Sequence, residues 1–256
     1  LKGLLKLPYK ILKILHNDVE KIKNFGPTLD SPGILITIKN FFLSRLFYYQ
    51  NINFKYDNFC KIKNYAYYSL QIQPEESVDV MSSKFTNQFE NIRKIAMSLP
   101  GEMVLVVKDH PAFIQLRNPK FLRKIANIPN VKLINPTIAS GLIIKKCKIV
   151  ISVTGTVFSE AAYLGIPCIY LGQSGIIKLL PSVYVNDNLN SLPKQISKIL
   201  KIKIDKQKNQ KKYDNFVKAV ILSRLPVKVK DMWEQGMINN ISLKLLYEQV
   251  KNEIHN

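Results

Sequence analysis

Short apolar runs, rich in aromatic and β-branched residues, recur through the middle of the chain. They have the length and composition of buried β-strands, and polar or Gly- and Pro-containing turns bound them. The runs occupy residues 65–70, 103–108, 131–134, 149–153 and 168–171. We predict a strand at each of them.

Between these runs, the apolar residues recur every three or four positions, as on an amphipathic helix. Strands that alternate with helices form βαβ crossovers, which predicts an α/β fold: a doubly wound, Rossmann-like parallel sheet with flanking helices. Ligands of such sheets bind at the carboxyl ends of the strands. The predicted helices cover residues 85–99, 121–126, 138–146 and 157–164. The loops that we expect to converge on one crevice are residues 71–83, 109–111, 154–156 and 172–175.

The segments that flank this pattern have a different character. Residues 1–24 are basic and amphipathic, and we expect their apolar side to pack on the rest of the protein or to lie in an anionic membrane interface. Residues 34–49 and 52–59 are irregular in period, which predicts short helices or connecting structure. Lysine-rich helices are predicted beyond Leu189, ending with one at 241–254. The predicted division is a helical linker at 1–64, an α/β domain at 65–205 and basic carboxyl-terminal helices at 206–256.

The charge balance is strongly basic. Lys and Arg number 38 against 18 Asp and Glu, a formal net charge of +20, which attracts polyanions and anionic lipid surfaces. Nucleic acid is a poor match, because the lysine-rich region has no interleaved aromatic platform and no helix-turn-helix or RNA-binding signature. No apolar run reaches the ~18 residues of a membrane span, and no secretory signal with a cleavage site is visible. We expect a cytoplasmic protein, peripheral on the inner face of the cytoplasmic membrane.

The cysteines give no sign of a disulfide framework or a metal site. Cys60, Cys147 and Cys168 are odd in number and widely spaced. We expect all of them to be buried small hydrophobic residues in a reducing compartment.

One stretch joins a predicted strand to a helix through a small polar turn. The run at 149–153 ends at Thr154-Gly155-Thr156, and the following helix stops at Gly165-Ile166-Pro167. In a βαβ unit the backbone N–H groups of such a turn face the space beyond the strand, which suits a phosphate. Glu160, in the first turn of the helix, either accepts hydrogen bonds from a ribose diol or only complements the helix dipole.

His110 stands at the end of another predicted strand. Pro111 follows it and restricts it to an extended geometry. Its imidazole either donates to a phosphate oxygen and stabilises a leaving nucleotide, or it is structural.

Four further polar residues belong to the same loops. Gln73 and Glu75 either orient the substrates or are ordinary solvated loop residues. Lys108 and Arg117 either add positive charge to the crevice or are surface residues without a function. The chain has no HExxH, CxxC pair, P-loop, GxGxxG or DxD. We therefore expect a mechanism that needs neither a metal nor a cofactor.

Several of these motifs together resemble the capsular polysaccharide biosynthesis family. In chain order they are residues 65–75, 106–111, 129–133, 153–156, Glu160-Ala161 and Gly165-Ile166-Pro167. The family is similar to two-domain GT-B glycosyltransferases, and its characterised members include bacterial Kdo transferases that use a CMP-activated sugar. The resemblance implies that His110 and the turn at 154–156 hold the donor phosphate and that Glu160 lies near the nucleotide ribose. It also implies that the Gln73-Pro74-Glu75 loop lines the cleft and that a glycan or glycolipid is the acceptor.

The chain departs from the family pattern in two ways. Phe158 stands where a Trp is expected, and residues 1–64 are too few for the acceptor-binding domain of a GT-B enzyme. We therefore expect either the carboxyl-terminal portion of a larger enzyme or a chain that works with a separate subunit.

Three other classes share parts of the pattern. A teichoic-acid-type CDP-glycerol glycerophosphotransferase has a His-Pro turn, but paired serines and an Asp are expected where this chain has Thr154-Gly155-Thr156 and Glu160. A nucleotide-sugar 2-epimerase also has a His-Pro turn and a Gly-rich turn before a Glu-bearing helix. A non-catalytic donor-binding module is the third alternative.

Overall fold

The computed structural model describes residues 34–172 and 175–223, and their centre is a six-stranded sheet. The strands are β1 (Tyr65–Ser69), β2 (Val104–Lys108), β3 (Val131–Ile134), β4 (Ile149–Ser152), β5 (Cys168–Tyr170) and β6 (Val183–Val185). All neighbouring strands are parallel, in the order β3-β2-β1-β4-β5-β6. This is the doubly wound, Rossmann-like order, so the predicted fold class is confirmed. Five strands lie where the apolar runs predict them, and β6 is an addition.

The helices cover both faces of the sheet. They are α1 (Ile34–Ile52), α2 (Glu76–Asp79), α3 (Gln88–Ser98), α4 (Pro119–Ala126), α5 (Ser140–Ile144), α6 (Val157–Tyr163), α7 (Leu192–Leu200) and α8 (Lys206–Ser223). One buried cluster joins one face of the sheet to α3, α4 and α7, and a second joins the other face to α5, α6 and α8. Successive β1 residues alternate between the clusters, because side chains of a strand point to opposite faces: Ala66 and Tyr68 belong to the first cluster, Tyr65 and Tyr67 to the second.

The region before β1 differs from its prediction. Instead of short helices interrupted near residue 50, a single 19-residue helix, α1, runs from Ile34 to Ile52. It contains no Gly or Pro that would end it. Its apolar residues are spread around the helix, and side chains such as Phe42 and Tyr49 are exposed, which explains why no clear period is visible in the sequence.

The end of α1 and the residues after it are attached to the sheet domain. The fully buried Asn51 donates from Nδ2 to the carbonyl oxygens of Ile114 (2.7 Å) and Arg117 (2.8 Å). Asp57 exchanges hydrogen bonds with the main chain of Leu133 at the outer strand β3. The predicted linker therefore packs on the α/β domain through its last residues.

Two predicted segments, the amphipathic segment at 1–24 and the helix at 241–254, lie outside the described residues. Within the described ranges, none of the helices combines the length and the apolar character needed to cross a bilayer. Cys147 and Cys168 are buried, as predicted, but the prediction was wrong for Cys60, which is exposed on a short 3-10 helix, Phe59–Lys61.

Candidate functional site

The candidate site lies where the strand order reverses, between β1 and β4. After β3 the chain returns to the other side of β1, so the loops after β1 and β4 leave the sheet on opposite sides and a crevice opens between them. A cavity of about 450 Å³ occupies this position. It is lined by residues that follow β1, β2, β3 and β4, namely residues 69–72, Glu75, Lys108, His110, Pro111, 136–140, 155–157 and Glu160.

Most of the predicted site residues meet in this cavity. Its lining includes Glu75, Lys108, His110, Glu160 and the Gly155-Thr156 pair. Their roles toward a ligand stay predictions.

Among the predicted substrate-binding residues, Gln73 and Thr154 are absent from the lining. The Gln73 amide donates to Asp79 (2.7 Å) and to the carbonyl oxygen of Thr86 (2.9 Å), and it accepts from Gln88. The carbonyl oxygen of Thr154 accepts from Gln71. Both residues therefore hold loops together, and the cavity is formed by their neighbours.

The loops after β3 and β5 differ from expectation in opposite ways. Residues 136–140 after β3 line the cavity, although the sequence predicts a helix from residue 138 and α5 begins only at Ser140. The one sign of this in the sequence was that these residues follow a strand that ends at the same edge of the sheet.

Gly172 and Gly175, the described ends of the loop after β5, do not line the cavity. A Cβ at Gly172 would stand 2.5 Å from the Val153 carbonyl oxygen, so this glycine is needed for close packing.

His110 is exposed at the mouth of the cavity, and its ring has a fixed hydrogen-bonding role. It caps the 3-10 helix Pro111–Phe113, with Nδ1 accepting from the backbone N–H of Ala112 (3.2 Å). Because Nδ1 accepts, the neutral imidazole carries its proton on Nε2. Nε2–H is thus available as a donor to a ligand oxygen.

A buried ion pair supports the loop that carries His110. Asp109 Oδ1 accepts from the His110 N–H (2.8 Å), and its carboxylate contacts Arg117 at 2.9 Å and 3.0 Å. Arg117 also donates to the Gln71 carbonyl oxygen (2.7 Å) and lies over the ring of Phe113. Both alternatives considered for Arg117 were wrong: the side chain is buried, and it joins the loops after β1 and β2 without lining the cavity.

Lys108 supplies positive charge to the cavity. It is only 4% exposed, and its Nζ donates to the Pro136 carbonyl oxygen at 3.3 Å, which leaves two ammonium hydrogens for a ligand. Burial lowers the pKa of Lys108, whereas the negative charges of Asp109 and Glu160 act in the opposite direction. An anion bound in the cavity would stabilise the charged form of this lysine.

A buried tyrosine hydroxyl, of which the sequence gives no sign, lies beside two residues of the cavity lining. Tyr67 is fully buried on β1, and the hydroxyls of Ser69 and Ser140 lie beside its own without a well-formed hydrogen bond. Burial raises the pKa of Tyr67 to about 12, so the hydroxyl is protonated and can donate. An unpaired buried hydroxyl costs free energy unless water or a ligand satisfies it.

The turn after β4 completes the lining. Gly155 has a φ of +113°, a conformation that favours glycine. The Thr156 side chain does not cap α6, which leaves the first backbone N–H groups of this helix without a side-chain acceptor.

Comparison with known proteins finds similarity only at the level of solved structures. No protein-family model matches the chain, so the resemblance to the capsular polysaccharide biosynthesis family stays a prediction. No curated protein matches it in sequence. A UDP-GlcNAc 2-epimerase from Methanocaldococcus jannaschii superposes with a TM-score of 0.45 and 19% identity, covering 70% of this chain and 49% of that chain. A spinosyn rhamnosyltransferase in complex with thymidine diphosphate gives a TM-score of 0.41 and 15% identity, covering 65% of this chain and 45% of that chain.

A third solved structure, of S. aureus MnaA with UDP, has a TM-score of 0.39 and 14% identity and covers 67% of this chain and 45% of that chain. The chain thus spans about half the length of the structures that it matches. Similarity at this level assigns neither a substrate nor an activity.

Proposed function

We propose that this chain is the nucleotide-sugar-binding half of a metal-independent glycosyltransferase of capsule or surface polysaccharide biosynthesis, which takes a sugar from a CMP-activated donor. The observation that carries the proposal is the cavity at the β1/β4 switch point, where ligands of doubly wound sheets bind. The same cavity gathers Lys108, His110 and Glu160. The choice of CMP and of a capsule-type acceptor rests on the sequence motifs alone.

The lining residues divide the work of binding and transfer. Lys108 Nζ and His110 Nε2–H hold the donor phosphate, together with the backbone N–H groups of the turn at Gly155-Thr156. As the bond between sugar and phosphate breaks, negative charge grows on the phosphate oxygens, and donors fixed in place stabilise it most in the transition state. Glu160 accepts hydrogen bonds from the ribose hydroxyls. The acceptor and the catalytic base belong to a second domain or subunit.

The proposed partners follow from this division. They are a nucleotide sugar, a glycan or glycolipid acceptor, and an anionic membrane surface that the basic chain approaches on the cytoplasmic side. The mechanism requires no divalent metal, because Lys108 and His110 supply the positive charge and the hydrogen-bond donor. Activity of the complete enzyme should persist in excess EDTA, and a loss that magnesium or manganese restores would contradict this part of the proposal.

Calorimetry with CMP, UDP and ADP tests the proposal on the chain itself. We expect one site per chain, with CMP bound more tightly than UDP or ADP. A clear preference for UDP would remove the CMP-sugar assignment and leave the GT-B glycosyltransferase proposal standing. No binding of any nucleotide would overturn the proposed function.

A further inference from the structure

Gln71 belongs to the cavity lining, and the proposed function does not use it. It lies two residues beyond the end of β1, is 7% exposed and lines the cavity. Its main chain is held on both sides: the N–H donates to Gln88 Oε1 (2.7 Å), and the carbonyl oxygen accepts from Gln88 Nε2 (3.1 Å) and Arg117 Nη2 (2.7 Å). The residue therefore has a fixed position between the loops.

The orientation of the Gln71 side-chain amide follows from its partners. Nε2 donates to the carbonyl oxygens of Ser69 (2.9 Å) and Thr154 (3.0 Å) and approaches Ser152 Oγ at 3.0 Å. Two of these partners are backbone carbonyls, which only accept, so the nitrogen must face them. Oε1 consequently faces the other way.

The oxygen of this amide is the part left for a ligand. Oε1 has no hydrogen-bond partner among the described residues, and it lies beside Gly155, 3.9 Å from where a Cβ on that glycine would stand. A larger residue at position 155 would cover this side of the amide. Glycine at position 155 leaves this side of the amide uncovered.

We propose that Gln71 Oε1 accepts a hydrogen bond from a hydroxyl group of the bound nucleotide sugar and so fixes the ligand's orientation. A carbonyl oxygen repels a phosphate oxygen, whereas Lys108, at the end of β2, and His110, in the loop after it, donate to one. A ligand that carries both groups satisfies the cavity only when its phosphate meets Lys108, His110 and the N–H groups of the turn at 155–156, and a hydroxyl faces Gln71 Oε1. The hydroxyl belongs either to the ribose or to the transferred sugar. This inference rests on the proposed function.

The test compares ligands and variants in one calorimetric series on the full chain. The ligands are CMP, 2′-deoxy-CMP, 3′-deoxy-CMP and CMP-N-acetylneuraminic acid, or UDP, its deoxy forms and UDP-GlcNAc if the chain prefers UDP. Gln71→Met removes the acceptor at similar volume. Ser152→Ala is the matched control, because it removes one partner of Nε2 and leaves Oε1 in place.

We expect Gln71→Met to lower affinity by about 2- to 10-fold, the contribution of one neutral hydrogen bond, and Ser152→Ala to change it by less than about 2-fold. If the hydroxyl is the ribose's, the loss appears already with CMP or UDP, and the matching deoxy nucleotide binds wild type and Gln71→Met equally. If it belongs to the sugar, the loss appears only with the nucleotide sugar. Equal affinity of wild type and Gln71→Met for every ligand would overturn the inference and leave the proposed function standing.

A second arm needs no change at Gln71, in case Gln71→Met does not fold. The penalty, defined as the loss of affinity when one ribose hydroxyl is removed from the nucleotide, is measured in wild type and in Glu160→Ala. A penalty that survives in Glu160→Ala comes from another acceptor and supports Gln71. If every penalty disappears with Glu160, and CMP-N-acetylneuraminic acid binds Glu160→Ala no more tightly than CMP does, no hydroxyl is left for Gln71 and the inference fails. If no nucleotide binds wild type at all, it is the proposed function that has failed.

Discussion

The buried ion pair between Asp109 and Arg117 gives the sharpest prediction about stability. Arg117→Met keeps an unbranched side chain of similar length against Phe113, but it removes the charge that faces Asp109. Asp109 is 2% exposed, so water cannot replace the lost partner. The substitution also removes the hydrogen bond to the Gln71 carbonyl oxygen. We expect a large loss of stability.

The magnitude follows from the burial of the pair. Removing one member of a buried ion pair costs about 3–5 kcal/mol, because the other charge stays buried and unpaired. For a protein of this size, 1 kcal/mol lowers the melting temperature by about 2–4 °C, so Arg117→Met should lower it by roughly 6–20 °C. The double variant Asp109→Asn/Arg117→Met removes both charges and should recover part of this loss.

Thermal unfolding followed by circular dichroism at neutral pH measures the effect. Arg93→Met is the matched control, because Arg93 Nη2 lies a similar distance, 2.8 Å, from Glu90 Oε1, but on an exposed helix surface. Its melting temperature should stay close to that of wild type, since solvent and salt screen such pairs. If Arg117→Met is no less stable than Arg93→Met, the ion pair is not the anchor of the His110 loop.

Three further predictions concern single side chains. A thiol reagent at pH 8 should modify Cys60 alone in the native protein and all three cysteines after denaturation. The reason is that burial raises the pKa of Cys147 to about 12 and that of Cys168 above its usual value. Rapid modification of more than one thiol in the native protein would contradict the packing described. Lys108→Met should be at least as stable as wild type at neutral pH. Burial lowers the pKa of Lys108 in the folded protein, so the charged lysine destabilises the fold at any pH below that pKa. This destabilisation decreases as the pH rises toward the pKa that Lys108 has in the unfolded chain. Unfolding at pH 7 and pH 10 should show the advantage of the variant shrinking at the higher pH. His110→Ala should lower the turnover of the complete enzyme by about 100- to 1000-fold, yet lower stability by no more than about 1 kcal/mol, the cost of a lost cap; a stability loss with activity of the folded fraction intact would make His110 structural.

The sequence predicts the sheet well because its strands are buried on both faces. Runs such as residues 149–153 are almost continuously apolar, and only a strand in a parallel sheet needs that composition in so short a segment. The strand β6 escapes prediction because it has only three residues, Val183–Val185, and lies at the sheet edge, where it is partly exposed. Likewise, α1 escapes because its apolar side chains are not confined to one face.

The candidate site is predictable where a polar side chain ends a strand or follows it within two residues. Lys108 and His110 fall into this class, since the strand end fixes their place at the crevice. Arg117 does not, because only the folded loop shows that it turns inward to Asp109 and away from the cavity. Gln71 has an ordinary loop sequence around it, and its free oxygen becomes evident only from the three partners of its nitrogen.

The affinity of nucleotide for Lys108→Met tests most directly whether the cavity between β1 and β4 is the binding site. Lys203→Met is the control, because Lys203 lines a separate cavity near the start of α8 and contributes the same charge. Losing a charged hydrogen bond of about 1.5–3 kcal/mol corresponds to about 10- to 100-fold in affinity. We predict that calorimetry with CMP shows this loss for Lys108→Met and less than about 2-fold for Lys203→Met. Equal affinities of the two variants, or a larger loss for Lys203→Met, would place the nucleotide elsewhere and contradict the account.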